Sequence, residues 1–273
     1  TVRDVILGKP VRGRRVVEQI TSVDLTPDAD EICFDLTVDG QVSTYAITET
    51  GPIALTSRGS GQFTVKKPIK ICRDGLIVGR SVASASNRAR LMKVSTSFDS
   101  VPLMGSLLRT LARNQHADSL PEANREVAQK IVWQSCRETD EESEKRFAIL
   151  SEQIEDSFWQ PLVRLGLSPT PFMETTEDIA TLRLRLNADT QLAAHTPRPR
   201  EPDGTLFGYQ VHESTINNAF ERLGLKGQRL ALEELFIHVQ QQLGLEQKIP
   251  EDLPEGVSVA FEQVEPIRVD FDQ

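Results

Sequence analysis

The stretch Glu122–Gln160 contains neither glycine nor proline, and this feature constrains the fold more than any other. Its apolar residues recur in steps of three and four, the spacing of one helix face: Val127, Ile131, Phe147, Leu150, Ile154 and Phe158, continued by Leu162 and Leu165. At 1.5 Å per residue, such a helix measures about 60 Å. Pro121 suits its first turn and Gly166 suits its C-terminal cap. The sequence therefore predicts one very long helix that kinks or restarts near Pro161.

The middle of this helix, Arg137–Arg146, has no apolar residue. A run of this kind stays helical in water but has no stripe to bury. We expect it to project into solvent or to break the helix. Its acidic cluster, Asp140-Glu141-Glu142, is typical of a solvated helix face, with docking of a partner as the alternative.

The first 80 residues alternate between apolar and polar side chains, as half-buried strands do. The clearest segment is Glu31–Asp39, which places Ile32 and Phe34 on one face. Turn signals separate the predicted strands: Asp39-Gly40, Thr50-Gly51-Pro52, Gly59-Ser60-Gly61 and Arg73-Asp74-Gly75. Residues 80–100 are small and polar and predict irregular structure, and Met104, Leu107, Leu108 and Leu111 predict a short amphipathic helix. This pattern favours an antiparallel meander with one dry face.

The remaining sequence predicts a strand at Thr181–Asp189, extended chain at Thr196–Pro202 and a short strand at Tyr209–Val211. Two helices and closing strands follow: a Ser214-capped helix, a second helix ended by Gly244, and strands around 257–261 and 267–271. The predicted fold is α+β, an elongated antiparallel meander packed on one long helix, with a C-terminal strand/two-helix/strand segment. The segments are 1–115, 116–167 and 168–273, the last packed with the first.

Composition limits the possible partners. The net charge of −9 argues against a nucleic-acid binder and against electrostatic adsorption to anionic membranes. No apolar run is long enough to span a bilayer. The three cysteines lack metal-ligand spacing, so we expect buried free thiols, although Cys33 and Cys72 are the natural pair in an oxidising compartment. Because the chain begins at Thr1, we expect a processed or truncated product.

No motif for a cofactor, metal or catalytic group is present. Gly59-Ser60-Gly61 lacks the third glycine of a dinucleotide fingerprint and leads into a strand. Asp28 and Asp30 have the spacing of the first two ligands of a calcium-binding loop, but Ile32 stands where the next ligand is needed. A turn is therefore favoured. The histidines are dispersed along the chain: His116, His195, His212 and His238. We expect no cofactor, no metal and no catalytic residue.

One segment carries a resemblance. The run Val211–Phe220 (VHESTINNAF) resembles part of an uncharacterised family of large bacterial cell-envelope proteins. The order of elements is more remotely similar to tubular lipid-binding proteins of the bactericidal/permeability-increasing type, in which a long curved sheet wraps a long helix around an apolar tunnel. These resemblances imply a periplasmic or envelope location, with a signal peptide removed, and a lipid or other apolar ligand.

Two functional hypotheses follow, and an enzyme with dispersed residues is a third, less favoured one. A non-catalytic envelope protein would hold a lipid or apolar ligand between sheet and helix, lined by Ile32, Phe34, Phe147, Ile154 and Phe158. A structural or interaction protein would have the same faces packed solidly and would bind other envelope proteins. The volume between helix and sheet discriminates between the first two.

Overall fold

The computed structural model of the protein describes residues 2–187, 204–246, 248–264 and 266–269. The chain divides into two compact units. The first contains Thr1–Arg146 and Glu174–Ala180, and the second contains Phe147–Met173 and Thr181–Gln273. Both combine helices with antiparallel strands, so the predicted α+β class is confirmed.

The first unit contains a six-stranded antiparallel meander with strands of up to 20 residues. Its strands are β1 (Val2–Ile6), β2 (Lys9–Leu25), β3 (Ile32–Thr50), β4 (Ile53–Cys72), β5 (Gly75–Val78) and β6 (Val82–Thr96). Strands β1 to β4 pair in sequence order, and β4 then pairs with β5 near its end and with β6 along most of its length. Each strand pairs with a neighbour close in the chain, as expected for a meander.

Two predicted turns are wrong, because their glycines lie in the middle of strands. Gly40 belongs to β3 and pairs with Phe63 of β4, whose aromatic ring occupies the space a β-carbon at Gly40 would need. Gly61 belongs to β4, and a β-carbon there would meet Ile131 of the helix at 3.1 Å. These glycines provide room above the sheet. The predicted turns at Gly51 and Gly75 are present, and both glycines have positive φ.

The prediction of irregular structure at 80–100 is also wrong, since β6 occupies most of that segment. Its residues alternate between half-buried and exposed. Ala83 and Ala85 face inwards and pack beneath the helix, with Ser84 between them exposed. Small residues give a weak strand signal by themselves. Packing of their inner face against a helix compensates for that weak propensity.

The long helix is present and exceeds its predicted length. Helix α1 spans Pro102–Ile154, so the short amphipathic helix and the long one are a single element. Pro121 lies inside α1, and its predicted role as the first turn is wrong. The polar run 137–146 remains helical and is mostly exposed, as expected. No described helix has the length and hydropathy needed to cross a bilayer.

Helix α1 continues into a π-helical turn, Glu155–Trp159, and then into α2, Gln160–Arg164. Pro161 therefore lies at the start of a new helical segment, as predicted. Gly166 ends it in the left-handed conformation, where the N–H of Leu167 donates to the carbonyl of Leu162 at 2.9 Å. This is a Schellman-type cap.

The rest of the second unit contains short elements. They are the antiparallel pair β7 (Ser168–Thr175) and β8 (Ala180–Asn187), then α3 (Glu213–Arg222), β9 (Arg229–Ala231), α4 (Leu232–Leu243) and β10 (Ser258–Ala260), which pairs with β9. The hairpin tip Glu174–Ala180 belongs to the first unit. The core of the second unit contains four buried leucines: Leu165, Leu167, Leu223 and Leu225.

The details of this unit differ in several places from the sequence-based expectations. Residues 267–269 of the predicted closing strand 267–271 form no strand, and β10 pairs with β9 instead. Tyr209–Val211 forms no strand. The N-cap of α3 is His212 instead of Ser214, because the His212 ring nitrogen accepts the N–H of Ser214 at 3.1 Å. The predicted extended chain Thr196–Pro202 lies outside the described residues.

Candidate functional site

Within the first unit, α1 packs on one face of the sheet through a small apolar cluster. Val38, Val42, Phe63 and Val65 are each at most 8% exposed. Ile131 and Cys136 of the helix, with Ala83 and Ala85 of β6, pack against these four residues. Val65 is fully buried. The centre of the helix–sheet contact is therefore packed.

Polar contacts hold the helix over the β1–β2 side of the sheet. Gln134 accepts a hydrogen bond from Arg15 at 2.6 Å, and Glu126 accepts the backbone N–H of Leu7 at 2.8 Å. Lys130 donates to Asp4 at 2.9 Å. These contacts join α1 to β1, to β2 and to the turn between them.

A second set of contacts holds the helix over β6. The side-chain oxygen of Asn124 accepts from Asn87 at 3.0 Å and from the backbone N–H of Ala89 at 2.9 Å. About four turns further along α1, Asp140 accepts from both the hydroxyl and the backbone N–H of Ser81, at 2.6 and 3.1 Å. The two contacts anchor the helix at the start of β6 and at its middle.

Beside these anchors, one face of α1 and Ala85 of β6 border an open groove of about 740 Å³, which we call the α1–β6 groove. Its wall contains the apolar residues Ala85, Ala128, Val132, Trp133 and Cys136. Its polar residues are Arg125, Gln129, Arg137, Asp140, Glu141 and Glu144. The helix rises about 28 Å from Arg125 to Glu144, so the groove is long.

Trp133 is the most distinctive residue of the groove. Its side chain is 65% exposed, although tryptophan is a large apolar residue that is usually covered. The guanidinium of Arg137 lies 5.4 Å from the ring centroid, within cation–π distance, and donates to Glu141 at 2.7 Å. The groove therefore offers an aromatic surface beside a cation.

Asp140, one of the groove residues, forms an ion pair with a buried lysine. Lys67 of β4 is 1% exposed, and its ammonium donates to Asp140. Burial raises the pKa of Asp140, but hydrogen bonds from Lys67 and Ser81 outweigh it, so the pKa is lowered overall. The expectation that the acidic cluster is a solvated face is therefore wrong for Asp140. Glu141 and Glu142 are exposed.

Cys136 lines the groove but is a poor nucleophile. Burial raises the pKa of its thiol, and the nearby charge of Asp140 raises it further. A protonated thiol reacts slowly, because the thiolate is the reactive form. All three cysteines are free in this structure.

The structure places the five predicted ligand-binding residues outside this groove. Ile32 and Phe34 lie in β3, where Ile32 is buried and Phe34 is half-buried. Phe147 and Ile154 lie in α1, and Phe158 lies in the π-helical turn, with its ring 5.3 Å from that of Trp159. The first two belong to the first unit and the last three to the second. Their role in ligand binding remains a prediction.

The groove residues had a weak sequence signal. Ala128, Val132 and Cys136 recur every four residues, which is helical spacing, but alanine and cysteine are common in any helix. Ala85 comes from the segment interpreted as irregular. Only pairing of β6 with β4 brings this alanine next to the helix.

One cluster has the composition of a metal site. Ligand atoms of Asp28, Glu31 and Cys33 lie within 4.8 Å of one another. Asp28, however, accepts the backbone N–H groups of Asp30 and Glu31 at 2.9 Å each, which forms the predicted turn and lowers its pKa. Glu31 pairs with Lys70 at 2.9 Å, and burial raises the pKa of the Cys33 thiol. The donors are engaged or protonated, so this arrangement suits a turn better than a metal.

The described histidines have local structural surroundings. His212 caps α3, and the His238 ring lies 2.6 Å from the carbonyl of Leu223. Burial lowers the pKa of His116, with Lys9 adding to the effect. His195 lies outside the described residues. The absence of a catalytic residue remains a prediction.

Comparison with protein-family models, curated proteins and solved structures finds no match. The resemblances to the envelope family and to tubular lipid-binding proteins therefore remain predictions. Within the described part of the chain, the α1–β6 groove combines an open volume of about 740 Å³ with apolar, aromatic and charged side chains.

Proposed function

We propose that the protein is a non-catalytic binding protein of the cell envelope, and that the α1–β6 groove holds an amphiphilic, lipid-like ligand. The observation that supports this most directly is the volume of about 740 Å³ beside the packed helix–sheet contact. This volume is typical of small-molecule sites, which range from about 300 to 1,000 Å³.

The chemistry of the groove favours an amphiphile over a purely polar ligand. The small apolar residues Ala85, Ala128 and Val132 form a smooth wall, and the exposed ring of Trp133 gains from being covered. Arg125 and Arg137 can pair with an acidic headgroup, with Arg137 also held by Glu141. An acyl chain would lie along the wall, with its headgroup at an arginine.

A location in the cell envelope is supported by the resemblance of Val211–Phe220 alone. Fractionation of the native host with an antibody to this chain tests it. Recovery in the cytosolic fraction would contradict this part of the proposal and leave the groove unaffected.

The second candidate function is a structural or interaction protein with a solid core. It is favoured by the packed cluster around Val65 and by the close approach of Ile131 to Gly61. In that case the α1–β6 groove holds no lipid, and its exposed Trp133 contacts another envelope protein.

Native mass spectrometry of the purified chain separates the two candidates. We expect wild-type protein to carry a lipid-sized adduct, released by organic solvent, and to bind a dansyl-labelled fatty acid. Ala128→Trp should remove both signals by filling the groove. The matched control is Ala117→Trp, an exposed position of the same helix outside the groove, and it should bind as wild type does.

Thermal melting of both variants checks that the fold is intact. Equal binding by Ala128→Trp and wild type would overturn the proposed site. Absence of both the adduct and dansyl binding in wild type would favour the structural candidate.

A further inference from the structure

The face of the sheet that points away from α1 has a charge opposite to that of the whole chain. Side chains alternate between the two faces of a strand. Val42 and Phe63 point towards the helix, so their neighbours on β3 and β4, such as Ser43 and Gln62, point outwards and are exposed. The pairing of the strands then sets which outward residues lie side by side.

Three adjacent rows on this outer face carry seven cations. The first row runs Arg3–Arg12–Ile47–Thr56–Lys93, the second runs Arg14–Tyr45–Arg58–Arg90, and the third runs Val16–Ser43–Ser60–Arg88. All seven cationic side chains are exposed. We call these three rows the basic face.

The basic face contains no carboxylate. The nearest outward carboxylates on its strands are Glu18, in the row beyond Val16, and Glu49, in the row beyond Ile47. Among the described residues, no salt bridge involves any of the seven cations. A chain with a net charge of −9 thus presents one surface with seven unneutralised positive charges.

Apolar side chains lie between these cations. Tyr45 is 52% exposed, and Val16 and Met92 are each 58% exposed. Together with Arg14 and Arg58 they line a shallow depression of about 310 Å³. Arginine, tyrosine and aliphatic side chains interleaved on one surface are typical of the membrane interface, where the charged groups meet phosphates and the apolar groups enter the headgroup region.

We propose that the basic face docks on the surface of an anionic phospholipid bilayer. Seven cations complement the negative surface potential of such a membrane. Each arginine near the membrane surface raises the affinity of the protein for the membrane about fivefold. A hydrated polyanion such as a nucleic acid would pair with the arginines but would leave Val16 and Met92 in water. The net charge of −9 disfavours adsorption of the chain as a whole, whereas the basic face concentrates positive charge on one surface.

Co-sedimentation with vesicles tests the proposal. Vesicles of phosphatidylcholine with about 30 mol% phosphatidylserine should bind the protein, those of phosphatidylcholine alone should bind it weakly, and about 0.5 M NaCl should release it. The variant R14Q/R58Q/R90Q removes three charges from the second row and should weaken binding roughly a hundredfold.

The matched control, R73Q/R80Q/R113Q, makes the same change in net charge at exposed arginines outside the basic face and should bind nearly as wild type does. Circular dichroism confirms that both variants fold. Because R14Q/R58Q/R90Q leaves the α1–β6 groove intact, it should keep any copurified lipid, so failure of this proposal is distinguishable from failure of the proposed function.

A second variant tests the choice of a bilayer over another polyanion. Met92→Ser should weaken binding to the anionic vesicles and leave binding to heparin unchanged. Equal loss in both triple variants, or binding to heparin without binding to vesicles, would overturn the proposal.

Discussion

The ion pair between buried Lys67 and partly exposed Asp140 allows a sharp test of the helix–sheet contact. Lys67 is 1% exposed, whereas the side chain of Asp140 is 32% exposed and has Ser81 as a second partner. The two residues are therefore not equivalent. Asp140→Asn leaves an ammonium buried without a counter-charge, whereas Lys67→Met removes the charge and keeps the chain length.

The expected magnitudes follow from this asymmetry. Removal of one partner of a fully buried pair lowers the free energy of unfolding by about 3–5 kcal/mol. Because water reaches Asp140 and the asparagine oxygen still accepts a hydrogen bond, we expect about 2–3 kcal/mol for Asp140→Asn. Lys67→Met should lower it by less than about 1 kcal/mol, since an apolar replacement of a buried charge is often neutral. The double variant should resemble Lys67→Met.

Urea unfolding in a Trp159→Phe background provides the assay. Trp159 belongs to the second unit, so its removal leaves Trp133 as the fluorescence reporter of the first. The slope of the free energy of unfolding against urea concentration must be the same in all the variants for their stabilities to be compared. If Lys67→Met destabilises the protein as much as Asp140→Asn does, or if the double variant is as unstable as Asp140→Asn, the reasoning is refuted.

Two further predictions concern the same contact. Gly61→Ala should lower the free energy of unfolding by about 1–3 kcal/mol, because its β-carbon would lie 2.9 Å from the Ser86 carbonyl oxygen. In the same urea titration, the control Ser60→Ala on the exposed face should change the free energy of unfolding by less than about 0.5 kcal/mol. The contribution of Asp140 to stability should be complete above its ordinary pKa and lost as pH falls through its lowered pKa. In an acid titration, the free energy of unfolding should therefore fall more steeply for wild type than for Asp140→Asn. Parallel curves of the free energy of unfolding against pH for the two proteins would contradict this prediction.

The sequence alone determined the elements whose signals are local. Alternation predicted the strand at Ile32, helical spacing predicted α1 around Ile131, and the left-handed glycines at Gly51 and Gly166 marked true ends of elements. Each of these depends on interactions within a few residues, which one segment of sequence contains. The α+β class followed from their order.

The tertiary structure decided the features that depend on distant partners. Gly40 and Gly61 are typical turn residues, yet they lie within strands because Phe63 and Ile131 occupy the space above them. Pairing register likewise aligns Arg14 with Arg58 and Arg90 through Tyr45, although the four residues span almost 80 positions of sequence. A one-residue slip would move such side chains to opposite faces, so both the groove and the basic face depend on register, which no local pattern encodes.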